Sequence, residues 1–358
     1  MTANLVLGFL CAFFSSLLFS SLIRSLCLKY NFAMHPPRPR DLHHQPIPRL
    51  GGVALFLSFT LSTLLFFRAT ELPTKSLIAL LLGALLIVLI MAIDDIFGLS
   101  PWIKLAGQFL VALLPVFLGV QLAFIRIPFY RYWDLLGKAF SFNLGGASLE
   151  IFLWSTVVIV LWLVLLMNAM NFLDGVDGLA TSIGALSAIT IGFLSFSKIV
   201  GQRDVGNLSF LLVGTALGFL PLNWHRAKIF LGDSGAMFLG YTLGLLSVIS
   251  GSKIATLGLV MGLAILDALL VVFTRIFAGK NPFTQPGQDH LHHRLIKAGF
   301  NVPFVVIIYL FLSTLVGGAA IFAKTNQKGI MFIFLMIAIT ALIYFLRIKI
   351  ARRGSKKS

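Results

Sequence analysis

Runs of about 20 consecutive apolar residues follow one another along this chain, each long enough to cross roughly 30 Å of hydrocarbon as a helix. The pattern predicts eleven helices, over residues 4–23, 51–67, 76–93, 105–125, 150–170, 179–197, 207–223, 235–251, 255–277, 303–323 and 329–346. The runs are continuously apolar and do not alternate, which favours helices over the strands of a barrel. The expected fold is therefore all-α: a polytopic integral membrane protein of about eleven transmembrane helices. It reads as a single transmembrane catalytic domain over 1–346 followed by a basic tail over 347–358. No internal repeat interrupts the series. The longest outer connection, 126–149, carries Tyr130, Tyr132 and Trp133, suited to an interfacial belt, and a turn at Gly145-Gly146.

Composition agrees. With 58% hydrophobic and 11% charged residues, and a mean hydropathy of +0.98, an ordinary soluble domain is excluded. The basic residues then orient the chain. Placing the N-terminus outside puts 18 of the 28 Lys and Arg in the inner segments 24–50, 94–104, 224–234, 275–302 and 347–358. An N-out, C-in arrangement follows, with the basic tail inside. A net charge of +16 would also suit a nucleic-acid binder. Basic loops beside anionic headgroups account for it better, so no nucleic-acid partner is expected. No Lys or Arg precedes the first run, so 1–23 is read as a span and not a cleavable leader. Cys11 and Cys27 share one helical segment, about 24 Å apart, and are expected to stay unpaired.

Against this apolar background the polar strings stand out. Of 12 Asp and Glu, seven (Asp41, Asp94, Asp95, Asp174, Asp177, Asp233 and Asp289) fall in the inner connections, as do all seven His. Unpartnered carboxylates are costly near lipid, so their gathering at one face points to a site there. Asp94-Asp95 close the third span; two adjacent carboxylates need a cation or a base such as Lys104, although a solvated helix end would look the same. In NFLDGVDGLA, Asn171, Asp174 and Asp177 recur every three residues and offer hard oxygen donors, while Gly175 and Gly178 leave room for a ligand. A helix cap at Asp177 accounts for one of these carboxylates only. FLGDSG places Asp233 before an apolar helix, where free amides suit phosphate; a plain N-cap is the alternative. DHLHHRL carries His290, His292, His293 and Arg294; the spacing is poor for zinc and better for contacts to a pyrophosphate. Arg38, Arg40 and Arg49 lie in the proline-rich first loop with His43 and face either anionic headgroups or substrate. Asp267, inside the ninth span, is either a functional acid with Arg275 as partner or one end of a buried hydrogen bond.

Taken together, PIPRLGG (46–52), DD (94–95), NFLDGVDGLA (171–180), FLGDSG (230–235) and HLHH (290–293) resemble, in order and over nearly the whole chain, the polyprenyl-phosphate N-acetylhexosamine-1-phosphate transferase family. This family includes the phospho-N-acetylmuramoyl-pentapeptide transferases. The resemblance implies transfer of a sugar-1-phosphate from a UDP-sugar to undecaprenyl or another polyprenyl phosphate, giving a lipid pyrophosphoryl sugar and UMP. This step begins cell-wall or surface polysaccharide synthesis. It implies Mg²⁺, with Mn²⁺ as a substitute, a multi-pass protein of the bacterial inner membrane, and an active site on the cytoplasmic face.

Carried over by position, Asp94, Asp95 and Asp174 become catalytic residues, and Asn171 and Asp233 metal ligands. Asp177, Lys104, His290, His292, His293 and Arg294 contact the nucleotide sugar, and Arg40, His43 and Arg49 contact the carrier lipid or order the first loop. Homodimerisation is allowed for. Two departures bear on the sugar: Gly287, Gln288 and Asp289 stand where the family often has an Asp-Arg pair, and Asp41 follows Arg40 where a lysine is common. The rival reading is an ion-coupled transporter, whose acids would sit near the midplane between repeated halves.

Overall fold

In lipid a helix satisfies every backbone N–H and C=O within its own segment, and each of the eleven apolar runs is helical over most of its length. The computed structural model describes residues 3–35, 46–137, 139–144, 147–198, 200–250, 253–277, 279 and 290–354. Along the chain lie α1 (Ala3–Tyr30), α2 (Gly51–Phe66), α3 (Thr74–Phe97), α4 (Pro101–Phe117), α5 (Leu153–Leu173), α6 (Leu179–Phe196) and α7 (Arg203–Asn223). They are followed by α8 (Gly232–Ile249), α9 (Ile254–Val260), α10 (Gly262–Phe277), α11 (Leu291–Lys297), α12 (Val302–Phe322) and α13 (Thr325–Gly354).

The expected number of spans needs qualification. Among the described residues eight helices are long and apolar enough to cross a membrane. The run expected over 255–277 is instead two helices, α9 and α10, bent by 77°. Helices α2 and α4, with 16 and 17 residues, reach only about 25 Å, short of the hydrocarbon thickness. Continuous apolarity does not encode a bend, so hydropathy alone reads α9 and α10 as one helix.

Helix α8 is the hub. In its apolar window 89% of residues are buried, against 22% in α1 and 11% in α13, so α8 is central and the terminal helices are peripheral. Its Gly, Ser and Thr content explains why: small residues let α2, α3 and α5 approach closely. One close approach is where α2 begins. A Cβ on Gly52 would lie 2.2 Å from the amide nitrogen of Gly235. There the two segments also join through backbone bonds: Phe230 N donates to Pro48 O (2.8 Å), Gly51 N to Phe230 O (3.1 Å) and Gly52 N to Leu231 O (3.0 Å). This junction brings the first loop to the start of α8.

At the opposite end the acids hold the fold. Asp204, at the start of α7, accepts from the amides of Thr70, Glu71 and Leu72 at 2.8–2.9 Å and so anchors the turn before α3. The connection between α4 and α5 forms an antiparallel hairpin of Ala139–Leu144 with Ala147–Phe152, where the sequence had suggested only a loop with a glycine turn. Gly145 and Gly146 lie outside the described residues. Tyr130, Tyr132 and Trp133 are exposed beside it, as an interfacial belt requires.

Candidate active site

Three helix ends and the first loop converge on one cluster of charge. Asp94 and Asp95 come from the last turns of α3, Lys104 from the first turn of α4, Asp233 from the first turn of α8, and Arg49 from the residues just before α2. Oxygens of Asp94, Asp95 and Asp233 all lie within 4.8 Å of one another, the one such acidic group among the described residues. Lys104 Nζ bridges Asp94 Oδ2 (2.5 Å) and Asp233 Oδ2 (2.7 Å). Arg49 donates from Nη2 to Asp233 Oδ1 at 3.1 Å, with its Nε 3.7 Å from Asp95 Oδ1.

The two adjacent acids play different parts. Asp95 caps α8 from another helix: its Oδ1 accepts from the amide of Asp233 (2.9 Å), and its Oδ2 from the amide (3.1 Å) and hydroxyl (2.7 Å) of Ser234. A helix start leaves amides without intrahelical partners, and a carboxylate there is favoured by both hydrogen bonding and the helix dipole. Asp233 therefore does not cap its own helix, as the simpler reading of FLGDSG supposed. Gly232 makes the docking possible. Its φ is +73°, and a Cβ there would fall 2.1 Å from Arg49 O and 2.6 Å from Asp95 Oδ2. Asp94 accepts from the amide of Leu99 at 2.6 Å, closing the turn after α3 and leaving Oδ2 to Lys104.

Asp174 follows the last residue of α5 and is half-buried. Burial pushes its carboxyl well above the usual carboxylate range; Arg49 opposes this, while Asp233, Asp95 and Asp177 add to it. Burial works against the charge on Arg49, but Asp95, Asp233, Asp174 and Asp94 together hold its guanidinium above the ordinary value. Four carboxylates thus share the field of two cations. Asn171 lies in the last turn of α5, one turn before Asp174.

Asp177 belongs to a neighbouring subsite. Its Oδ2 lies 3.1 Å from His225 Nδ1 and accepts from the amide of Ala227 at 3.2 Å. Helix α6 starts instead behind Gly178, in the left-handed region at φ +73°, so Asp177 is not its cap.

The histidines of α11 stand over the same loop. A Cβ on Gly175 would meet His292 Nε2 at 2.8 Å and His293 Nε2 at 3.1 Å, so the missing side chain makes room for the rings. Phe172 stacks on His290 (centroids 5.0 Å apart), and His290 lies parallel to His292 at 5.7 Å. His292 is fully buried, and neither ring nitrogen has a partner. Burial, with the neighbouring His293 and His290, holds its pKa well below the usual histidine value, so the ring is neutral at pH 7. A neutral buried imidazole with two unmet nitrogens suits a polar ligand entering between α5 and α11.

The remaining expected residues are spread more widely. Arg294 lines a groove of α10, α11 and α13 with Arg347, on a different side of α11 from His292. Arg40 and His43 lie outside the described residues. Sequence reasoning did not find the Asp95 cap, the stacking of Phe172 or the partner of Asp267, which is His290 and not Arg275 (2.9 Å from His290 Nδ1 to Oδ2). The lone acid in an apolar run was the available signal for the last of these.

The site fits a divalent cation by its donor chemistry: three close carboxylates, a fourth nearby and an excess of negative charge suit a hard ion. Residues 77–251 match the model of glycosyl transferase family 4. The chain is 33% identical over 369 residues to a decaprenyl-phosphate N-acetylglucosaminephosphotransferase of Mycolicibacterium smegmatis, covering 93% of this chain and 85% of that protein. It is 29% identical over 342 residues to a probable undecaprenyl-phosphate N-acetylglucosaminyl 1-phosphate transferase of Bacillus subtilis, covering 93% and 89%. A phospho-N-acetylmuramoyl-pentapeptide-transferase of Shouchella clausii is 28% identical, with 85% and 91% covered.

Proposed function

The chain belongs to glycosyl transferase family 4, and from that premise we propose that it transfers an N-acetylhexosamine-1-phosphate from a UDP-sugar to a polyprenyl phosphate. The products are UMP and a lipid pyrophosphoryl sugar, the first intermediate of a cell-wall or surface polysaccharide. The observation that carries this reading is the cluster of Asp94, Asp95 and Asp233 with Lys104 and Arg49, assembled from helix ends at one edge of a membrane-spanning bundle. A donor dissolved in water and an acceptor held in the bilayer can meet only at such an edge. The N-out, C-in charge bias supports a cytoplasmic edge, and the bacterial relatives support the bacterial inner membrane as its place.

The division of labour follows from the contacts. Bound at this cluster, Mg²⁺ would offset charge on the pyrophosphate and leaving group. Asp233 and Asn171 would hold it, with Asp94 and Asp174 close by. Asp95, spent on the amides of Asp233 and Ser234, fixes the start of α8 and so orients Asp233. Lys104 and Arg49 offset the repulsion among the acids and offer positive charge to phosphate oxygens. His292 and His293, facing Gly175, would contact the donor pyrophosphate, and Asp177, held beside His225, would contact its base. The acceptor is already largely ionised at pH 7, since a phosphate monoester has its second pKa near 6. A general base therefore contributes modestly, and positioning carries most of the acceleration.

Incubating the purified protein with labelled UDP-N-acetylhexosamine, Mg²⁺ and undecaprenyl phosphate tests the proposal. UMP should appear only when the lipid is present, together with labelled lipid; donor turnover without lipid, or none at all with a panel of UDP-sugars, would overturn it.

A further inference from the structure

Asp267 sits inside α10, in an apolar stretch where a carboxylate is costly, and both it and His290 are buried. It spends its oxygens on two neighbouring groups of another element. Oδ1 accepts from the amide of Leu291, the first residue of α11, at 2.9 Å, and Oδ2 lies 2.9 Å from His290 Nδ1. An ionised carboxylate only accepts, so the ring hydrogen at that contact belongs to Nδ1 whether the imidazole is neutral or charged. The outward nitrogen of His290 is then Nε2. Phe172 on one face and the parallel ring of His292 hold the plane of His290, while Asp267 fixes its rotation and tautomer.

We propose that Asp267 is a positioning residue, which acts through His290 to preset the row of histidines that faces the NFLDG turn. Asp267 lies in α10, past the 77° bend after α9. The inference rests on the reading that the histidine row contacts the nucleotide sugar. A carboxylate behind a functional imidazole sets its orientation and polarity, and losing such a partner typically costs about 10- to 100-fold in binding or activity.

The variant that separates this role from simple capping is Asp267→Asn. The amide oxygen still accepts from Leu291 N, so α11 keeps its cap, but the NH₂ group now faces Nδ1 and requires the opposite tautomer. Two measurements on the full-length protein decide the matter. In ¹⁵N-histidine spectra, one Nδ1–H imidazole signal, absent from His290→Ala, should be lost or switched to Nε2–H in Asp267→Asn; an unchanged tautomer overturns the proposal. In the transfer assay, kcat/KM for the UDP-sugar should fall about 10- to 100-fold with the thermal midpoint kept, and the substitution should add nothing in a His290→Ala background. Equal losses in both backgrounds would show that Asp267 acts only on the fold, and wild-type kcat/KM would show that it does not matter. If the wild-type protein releases no UMP while the spectra behave as expected, the functional reading fails and the Asp267–His290 coupling stands.

Discussion

Asp94 and Asp95 are neighbours in sequence with unlike tasks, because a helix turns about 100° per residue and sends them to different partners. Asp95 receives the first amides of α8, while Asp94 faces Lys104. Replacing Asp95 with Ala should strand the amides of Asp233 and Ser234 and lower stability by about 2 kcal/mol or more, seen as a lower thermal midpoint in detergent. Asp174 should behave oppositely. Its carboxyl is held well above the usual range by burial, so the native state keeps its proton to higher pH than the unfolded chain does. Stability of the cation-free protein therefore falls as pH rises through that window. Asp174→Asn should abolish that fall and melt no lower than wild type, yet lose transfer by roughly 100-fold or more; a variant that is both active and less stable would contradict this assignment.

At the scale of elements, the site depends on how α2, α3 and α8 dock. Gly52 touches the backbone of α8 at Gly235, so Gly52→Val should push the helices apart, cost about 1–3 kcal/mol and displace Arg49 from Asp233. Transfer should be lost even in preparations that remain folded by circular dichroism. On the far face, Lys253 is fully buried between α8 and α9, its Nζ 2.5 Å from Ser195 Oγ and 3.2 Å from Gln202 Oε1. Burial lowers its pKa to about 7, against about 10.4 for an unfolded lysine. Between those values the unfolded chain binds the extra proton, so stability rises with pH across the window, by at most about 1.4 kcal/mol per unit. Lys253→Met should flatten that rise in thermal midpoints measured from pH 6.5 to 9.5. The sequence could supply the apolar runs and the polar strings, because both are local. It also offered Lys104 as the partner of the Asp94-Asp95 pair, which the contact to Asp94 bears out. It could not supply the cap of α8 by Asp95, the reach of Lys104 to Asp233 or the link of Asp267 to His290, since each depends on which helices become neighbours. The bend before α10 was hidden for a related reason: Met261 and Gly262 continue the apolar run through the break.

As a whole molecule, the protein separates its charges by face. Asp204, an acid at the far end, has its oxygens filled by backbone amides and Thr70, whereas at the candidate site four carboxylates share two cations and His292 keeps two ring nitrogens without partners. That asymmetry is what the proposed interfacial transfer needs, with an acid spent on the backbone at one end and carboxylates left for chemistry at the other. The family resemblance, the order of the five motifs and their convergence at helix ends all rest on this arrangement. Titrating the purified protein with Mn²⁺ and following the free ion by electron paramagnetic resonance tests it most directly. One Mn²⁺ per chain should bind, displaced by Mg²⁺ and lost in a folded Asp233→Asn variant; stoichiometric binding that survives Asp233→Asn unchanged would contradict the account.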